Sequence, residues 1–251
     1  MACAKSSKLG AKKEVSCNNC GLFDLCKLAG LESLNTDILE SVVNRRKKIK
    51  SRDHLVVSGE ASRGIFAVKS GLFKTVSYFD DGSEHVIDFH LPGELIGLEA
   101  INSNEYSHTV SAAEDSSVCE MDLEAVQQLE GKFIYFQASL IDAMSKKIAL
   151  DKYKSLLIGA QTADQRLAMF LILMARRYQE KELPVLGFRL AMRKDIASHL
   201  GLALETVGRV FKRFEKEGML HIRGRNIELY DYNGLKALAG LLRFSEFSSL
   251  N

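Results

Sequence analysis

The stretch Arg193-Lys194-Asp195-Ile196-Ala197-Ser198-His199-Leu200-Gly201-Leu202-Ala203-Leu204-Glu205-Thr206-Val207-Gly208-Arg209-Val210-Phe211 decides how this chain is read. Two helices that cross closely need a small residue at the contact, a turn glycine about four residues later and apolar residues on the buried face of the second helix. Ala197, Gly201 and the pair Val207 and Val210 stand at those places. Gly201 can take the positive φ of such a turn at no steric cost. The spacing predicts a helix-turn-helix.

The second helix then leaves Glu205, Thr206, Gly208, Arg209, Lys212 and Arg213 facing outward. Arginine bonds a guanine edge through two donors, and glutamate accepts from the cytosine amino group. Lys212, Arg213 and Lys216 lie further along, where phosphates would be met. Glu215, Glu217 and Gly218 close the helix, and His221–Leu229 reads as a hairpin wing with Arg223 and Arg225 near its tip. A solvated basic helix in a bundle would explain the charges alone. It would not explain the small residue, the turn glycine, the Glu/Arg pair and the wing together. With a net charge of only +2, affinity for nucleic acid must come from this local patch and not from a whole-molecule field.

A palindromic site needs two such helices, and a candidate pairing element lies upstream. From Phe133 to Ile158 a heptad fits, with Ile134, Ile141 and Ile148 at a, and Met144 and Ile158 at d. That spacing suits a coiled-coil seam between chains better than a helix packed on its own domain. The d position at 151 is Asp151. Two carboxylates facing across a dimer repel and lose solvation, so the seam is marginal and easily tipped.

Before the seam the texture is different. His54–Val57, Gly64–Val68, Phe73–Phe79, His85–His90 and Ser117–Met121 are short β-rich runs separated by Gly, Asp, Ser and Asn. Such spacing predicts an antiparallel sandwich or barrel, a single small barrel first. Thr36–Arg46 reads as a short helix leading into the basic run Arg45–Lys48, and helices resume from about Thr162, with a break at Leu183-Pro184. Residues 1–16 read as a polar tail without the apolar core of a signal peptide, and no run approaches the ~18 apolar residues of a membrane span. The expectation is a cytoplasmic protein with no membrane partner, in which disulfides are rare.

Three of the five cysteines are Cys17, Cys20 and Cys26. This C-x2-C-x5-C array suits zinc or an iron–sulfur cluster, and either needs a fourth ligand from Cys3 or Cys119. Zinc sites more often pair two knuckles, which tilts the reading toward iron and sulfur without closing the zinc alternative. His85, His90 and His108 have no accompanying nucleophile motif and read as strand-surface residues, so no enzyme is expected.

Taken in order, the cysteine array, the lone cysteine in Ser117-Val118-Cys119-Glu120, the seam helix and the helix-turn-helix resemble the fumarate-and-nitrate-reduction regulators. These are the oxygen-sensing branch of the Crp–Fnr family of transcription regulators. The resemblance runs from Cys17 to about Gly240 and is strengthened by Phe89–Gly97, Arg166–Phe170 and Gly201–Val207. It implies an α+β fold: a cysteine-bearing tail over 1–30, a cyclic-nucleotide-binding-like β-roll sensor over 31–131, a dimerisation helix over 132–159 and a winged helix-turn-helix over 160–251. It further implies a [4Fe–4S] cluster on Cys17, Cys20, Cys26 and Cys119, with Cys3 outside the ligand set. The resemblance places Ile148 and Asp151 on the dimer helix, in agreement with the heptad seam that also holds Ile141 and Met144. The implied homodimer binds TTGAT- or TGTGA-type half-sites and lets go when oxygen converts the cluster. The loop Asp80-Asp81-Gly82-Ser83 reads as a contact for RNA polymerase.

Two positions depart from the family pattern. Gly208 stands where these regulators more often carry serine, and Ala203 lacks the hydroxyl that would cap the recognition helix. The alternative within the fold is a cyclic-nucleotide-responsive regulator. Gly93-Glu94 suits it, but Asn104–Ser111 contains no arginine for the cyclic phosphate, and an unpaired phosphodiester binds poorly.

Overall fold

The computed structural model describes residues 43–122, 133–155, 162–181, 183 and 188–241. Its first element is a strand, β1 (Val43–Ile49), and not the end of a helix. The predicted helix over Thr36–Arg46 is therefore wrong from Val43 onward, and the rest of it lies outside the described residues. The basic run has no alternation of its own. A ladder with β8 (Ser116–Met121), from Val43↔Met121 to Ile49↔Ser116, supplies the hydrogen bonds that make it a strand.

The other predicted runs appear as β2 (His54–Val56), β3 (Ile65–Ser70), β4 (Phe73–Tyr78), β5 (Glu84–His90) and β8. Two short strands were not expected, β6 (Leu95–Ile96) and β7 (Thr109–Ala112). They form two four-stranded sheets, β1-β8-β3-β6 and β2-β7-β4-β5, in place of one closed barrel. Leu55, Phe73 and Val110 of one sheet meet Phe66, Ile96 and Val118 of the other in a shared apolar interior. The tight turn from β3 to β4 depends on Gly71 at φ 88°, where a Cβ would stand 2.1 Å from Ser116 Oγ.

A short helix, α1 (Ala100–Ser103), lies between β6 and β7, and the long α2 (Phe133–Ser155) follows β8. Next comes α3 (Ala163–Glu180), opened by a capping box between Thr162 and Gln165. Leu167 through Ala175 are all buried, so the middle of α3 is apolar all round and enclosed on every side. What encloses it is β9 (Phe188–Arg189), α4 (Arg193–Leu200), α5 (Leu204–Lys216), β10 (Leu220–Arg223), β11 (Asn226–Leu229) and α6 (Tyr232–Leu238) on one side. On the other side the roll contributes Leu72, Val76, Val86, Phe89, Leu91 and Ala113 to the same apolar cluster.

Candidate nucleic-acid interface, dimer helix and ligand thiol

The predicted turn between α4 and α5 is present. Gly201 caps α4 in the left-handed region at φ 60°, ψ 40°, and Ala197 beneath it is buried. Val207, Val210, Phe211 and Phe214 form the buried face of α5, a spacing of three and four residues that keeps them on one stripe. Ala203 occupies the N-cap of α5 and makes no side-chain cap bond, as its lack of a hydroxyl requires.

Opposite that stripe Glu205, Arg209, Lys212 and Arg213 are exposed, with Thr206 and Gly208 half-buried between them. Arg209 Nη2 donates to Thr206 Oγ1 at 3.2 Å, which holds the guanidinium along the outer face. Arg213, expected to meet phosphate, pairs with Asp164 of α3. A Cβ on Gly208 would meet nothing within 4 Å, so nothing inside the protein demands glycine there. The wing is β10 and β11, with a two-residue turn at Gly224-Arg225 and β9 as its third strand. Of its two arginines only Arg223 is exposed. Arg225 folds back, its Nε donating to Leu190 O at 3.2 Å and its Nη1 lying 3.5 Å from Glu114 of the roll. Arg189 Nε reaches the same carboxylate at 2.6 Å.

The helix-turn-helix is held against the roll through α4. Ser198 Oγ accepts from Val86 N at 2.9 Å, and the His199 ring lies 3.1 Å from Val86 O. Lys74 of β4 pairs with Glu84 and, at 3.0 Å, with the buried Asp195. Burial works against the Lys74 ammonium, but the two carboxylates overcome it and its pKa is raised. A second charged cluster lies beneath. Arg177 of α3, only 5% exposed, donates from Nε to Glu94 Oε1 at 2.8 Å and from Nη2 to Phe89 O. Its Nη1 lies 3.8 Å from Asp88 Oδ1. Burial opposes ionisation of Glu94, yet Arg177 outweighs it and holds the carboxyl below its ordinary pKa. Glu94 Oε2 also accepts from Leu91 N at 2.8 Å. The carboxylate expected at a cyclic-nucleotide site is thus committed to the C-terminal part of the fold.

His90 departs from expectation: it is buried, 2.7 Å from Thr75 Oγ1, whereas His85 and His108 are half-buried.

On α2, Ile141, Met144 and Ile148 are 65%, 39% and 56% exposed. Asp151 lies exposed on the next turn. Ile134 and Ile158 carry the heptad into parts of the chain where no side chain is described. Lys147 flanks the row. Its Nζ lies 2.6 Å from Asp88 Oδ2 and 2.9 Å from Asp151 Oδ1. Sequence reasoning missed Lys147, Asp88 and Arg177. The i,i+4 relation of Lys147 to Asp151 was the one signal available for any of them.

Of the four cysteines read as ligands, Cys17, Cys20 and Cys26 lie outside the described residues, as does Cys3. Cys119 is half-buried on β8 and forms no disulfide. Its neighbour Val118 points into the roll interior, and side chains alternate along a strand, so Cys119 belongs to the outer face. The β1 ladder is irregular opposite it, between Asn44 and Lys47. A thiol on an outer face, not packed in the core, fits a ligand donated toward another segment. Among the described residues no three His, Cys, Asp or Glu side chains converge as a metal site, and no helix is long and apolar enough to cross a membrane.

The geometry has counterparts in known proteins. The cyclic nucleotide-binding domain family matches residues 46–132, and the Crp-like helix-turn-helix domain family matches residues 165–238. The transcriptional activator protein FnrA of Stutzerimonas stutzeri is 37% identical over 238 residues, covering 94% of this chain and 98% of that protein. The fumarate and nitrate reduction regulatory protein of Escherichia coli K12 is 33% identical over 230 residues, covering 91% and 92%. The structure of FixK2 from Bradyrhizobium japonicum superposes with a TM-score of 0.69 at 26% identity, covering 77% of this chain and 96% of that one. From the sensor fold to the wing, and along almost the whole of its length, the chain belongs to the Crp–Fnr family of transcription regulators and is not an enzyme.

Proposed function

We propose that this protein is an oxygen-responsive transcription regulator that binds palindromic, TTGAT-like DNA as a homodimer and whose dimerisation is gated by a [4Fe–4S] cluster on Cys17, Cys20, Cys26 and Cys119. The observation that carries the reading is the bare apolar row Ile141, Met144 and Ile148 on α2. Exposed apolar rows of this kind mark surfaces that a partner covers. A second copy covers it with like residues and brings two recognition helices to one site.

When bound, the cluster supplies an oxygen-labile cross-link. The chain's own residues do the rest. Cys119 offers its thiolate from the outer face of β8, and the three N-terminal cysteines bring the tail to it. Asp151 opposes its counterpart at the seam, so the dimer is marginal and a modest input tips it. Glu205 and Arg209 read base edges, and Lys212 and Arg223 meet backbone phosphates. The exposed loop Asp80–Ser83 offers a cytoplasmic RNA polymerase a contact, and the position of the site at a promoter decides activation or repression. In this reading residues 1–30, 31–131, 132–159 and 160–251 are tail, sensor, dimer helix and DNA-binding domain.

Anaerobic purification tests it. The expected product is a brown protein with about four irons and four sulfides per chain, dimeric and DNA-binding until air bleaches it. Cys119→Ala should lose both colour and anaerobic DNA binding. A colourless protein holding one zinc, or a Cys119→Ala variant that keeps its cluster, overturns the proposal.

A further inference from the structure

A row of alternating charges runs inward from the dimer helix: Asp151, Lys147, Asp88, Arg177 and Glu94. Its links are Lys147 Nζ to Asp151 Oδ1 at 2.9 Å and to Asp88 Oδ2 at 2.6 Å, Arg177 Nη1 to Asp88 Oδ1 at 3.8 Å, and Arg177 Nη2 to Glu94 Oε2 at 2.5 Å. The inner members are fixed. The side chains of Asp88 and Arg177 are 8% and 6% exposed, and those of Lys147 and Asp151 are 33% and 50%. Lys147 is thus a flexible side chain whose far end is held on one side by a buried carboxylate that has its own arginine.

We propose that Lys147 is the residue that sets the strength of the dimer, by screening Asp151 at the seam from a position that Asp88 holds ready. This rests on the reading of α2 as the dimer helix. A lone Asp151 in each subunit would place two negative charges face to face. With an ammonium 2.9 Å from one carboxylate oxygen, each subunit presents a nearly neutral pair. A free lysine would give up much of that gain in ordering its side chain. Lys147 is ordered before the partner arrives, because Asp88 already holds it. Burial acts to lower the Lys147 pKa, but Asp88 and then Asp151 outweigh it and the net shift is upward, so the charge is kept. Both residues also line a cleft of about 760 Å³ beside β5.

The test is a double-substitution cycle read as the monomer–dimer dissociation constant of the full-length protein by sedimentation, with and without the reconstituted cluster. Lys147→Met keeps the stem and removes the charge. It should weaken the dimer on the order of tenfold, because both subunits lose the pair. In an Asp151→Asn background the same change should do little. Lys147→Arg should stay near wild type, and thermal melts should show every variant folded. An equal weakening in both backgrounds, or a tighter dimer in Lys147→Met, overturns the proposal. If wild type has the same dissociation constant with and without cluster, the oxygen-gating reading fails instead, while the cycle still reports on Lys147.

Discussion

The Arg209 guanidinium lies exposed on α5, steadied by its bond to Thr206 Oγ1. Its aliphatic stem and planar head suit a guanine edge better than a phosphate, to which a lysine binds as a simple point charge. Arg209→Ala should cost about 1–3 kcal/mol on a cognate site and relax preference at one base pair. Titration of a panel of single-base variants checks this. An equal loss on every sequence would show that Arg209 touches only backbone. Arg213 is a different case, since its pairing with Asp164 spends part of its charge inside the protein. Gly208, with nothing within 4 Å of where its Cβ would stand, leaves open space on the same outer face.

Among the elements, α2 concentrates the conflict between attraction and repulsion. Its exposed apolar row suits the proposed partner, and the Asp151 carboxylate beside it would oppose a second copy. Asp151→Ala should shift the balance toward dimer in air, measured by sedimentation. An unchanged monomer–dimer balance would remove Asp151 from the account. Both this helix and the recognition helix were legible in the sequence, because their signals are local: periodic apolar residues and a glycine within one turn of its role. Strand β1 was not, since its hydrogen-bonding partner β8 lies some seventy residues on, Ile49 facing Ser116, and nothing in Arg45–Lys48 alternates. Strands β6 and β7 are too short, or too rich in Ser and Thr, to stand out from the loops around them. The charged contacts were hidden for the same reason as β1. Arg177 meets Glu94 across 83 residues and Lys74 meets Asp195 across 121, and no spacing rule spans such distances.

For the molecule as a whole, the Arg177–Glu94 pair across the junction of roll and helix-turn-helix predicts a sensitivity to acid. Glu94 has a folded-state pKa below its ordinary value, while in the unfolded chain it titrates near about 4.3. Its contribution is therefore complete above that value and is lost as pH falls through it toward the folded pKa. Arg177 and Asp88 face it, and the Arg177 guanidinium keeps its charge throughout that range. Wild type should lose melting temperature more steeply than Glu94→Gln between about pH 5 and 3. Parallel slopes in a pH series of thermal melts would show that the pair adds nothing.

The apolar cluster shared by the roll and α3 also bears on modularity. Leu72, Val76, Val86, Phe89, Leu91 and Ala113 are sealed by helices of the C-terminal half. A fragment cut before α3 would bare one side of that contact, and the excised DNA-reading half would bare the other. The two halves are not portable parts. A chimera that grafts this DNA-reading half onto a foreign sensor must carry a matching apolar face and a partner for Arg177, or it will aggregate before it can be asked to switch.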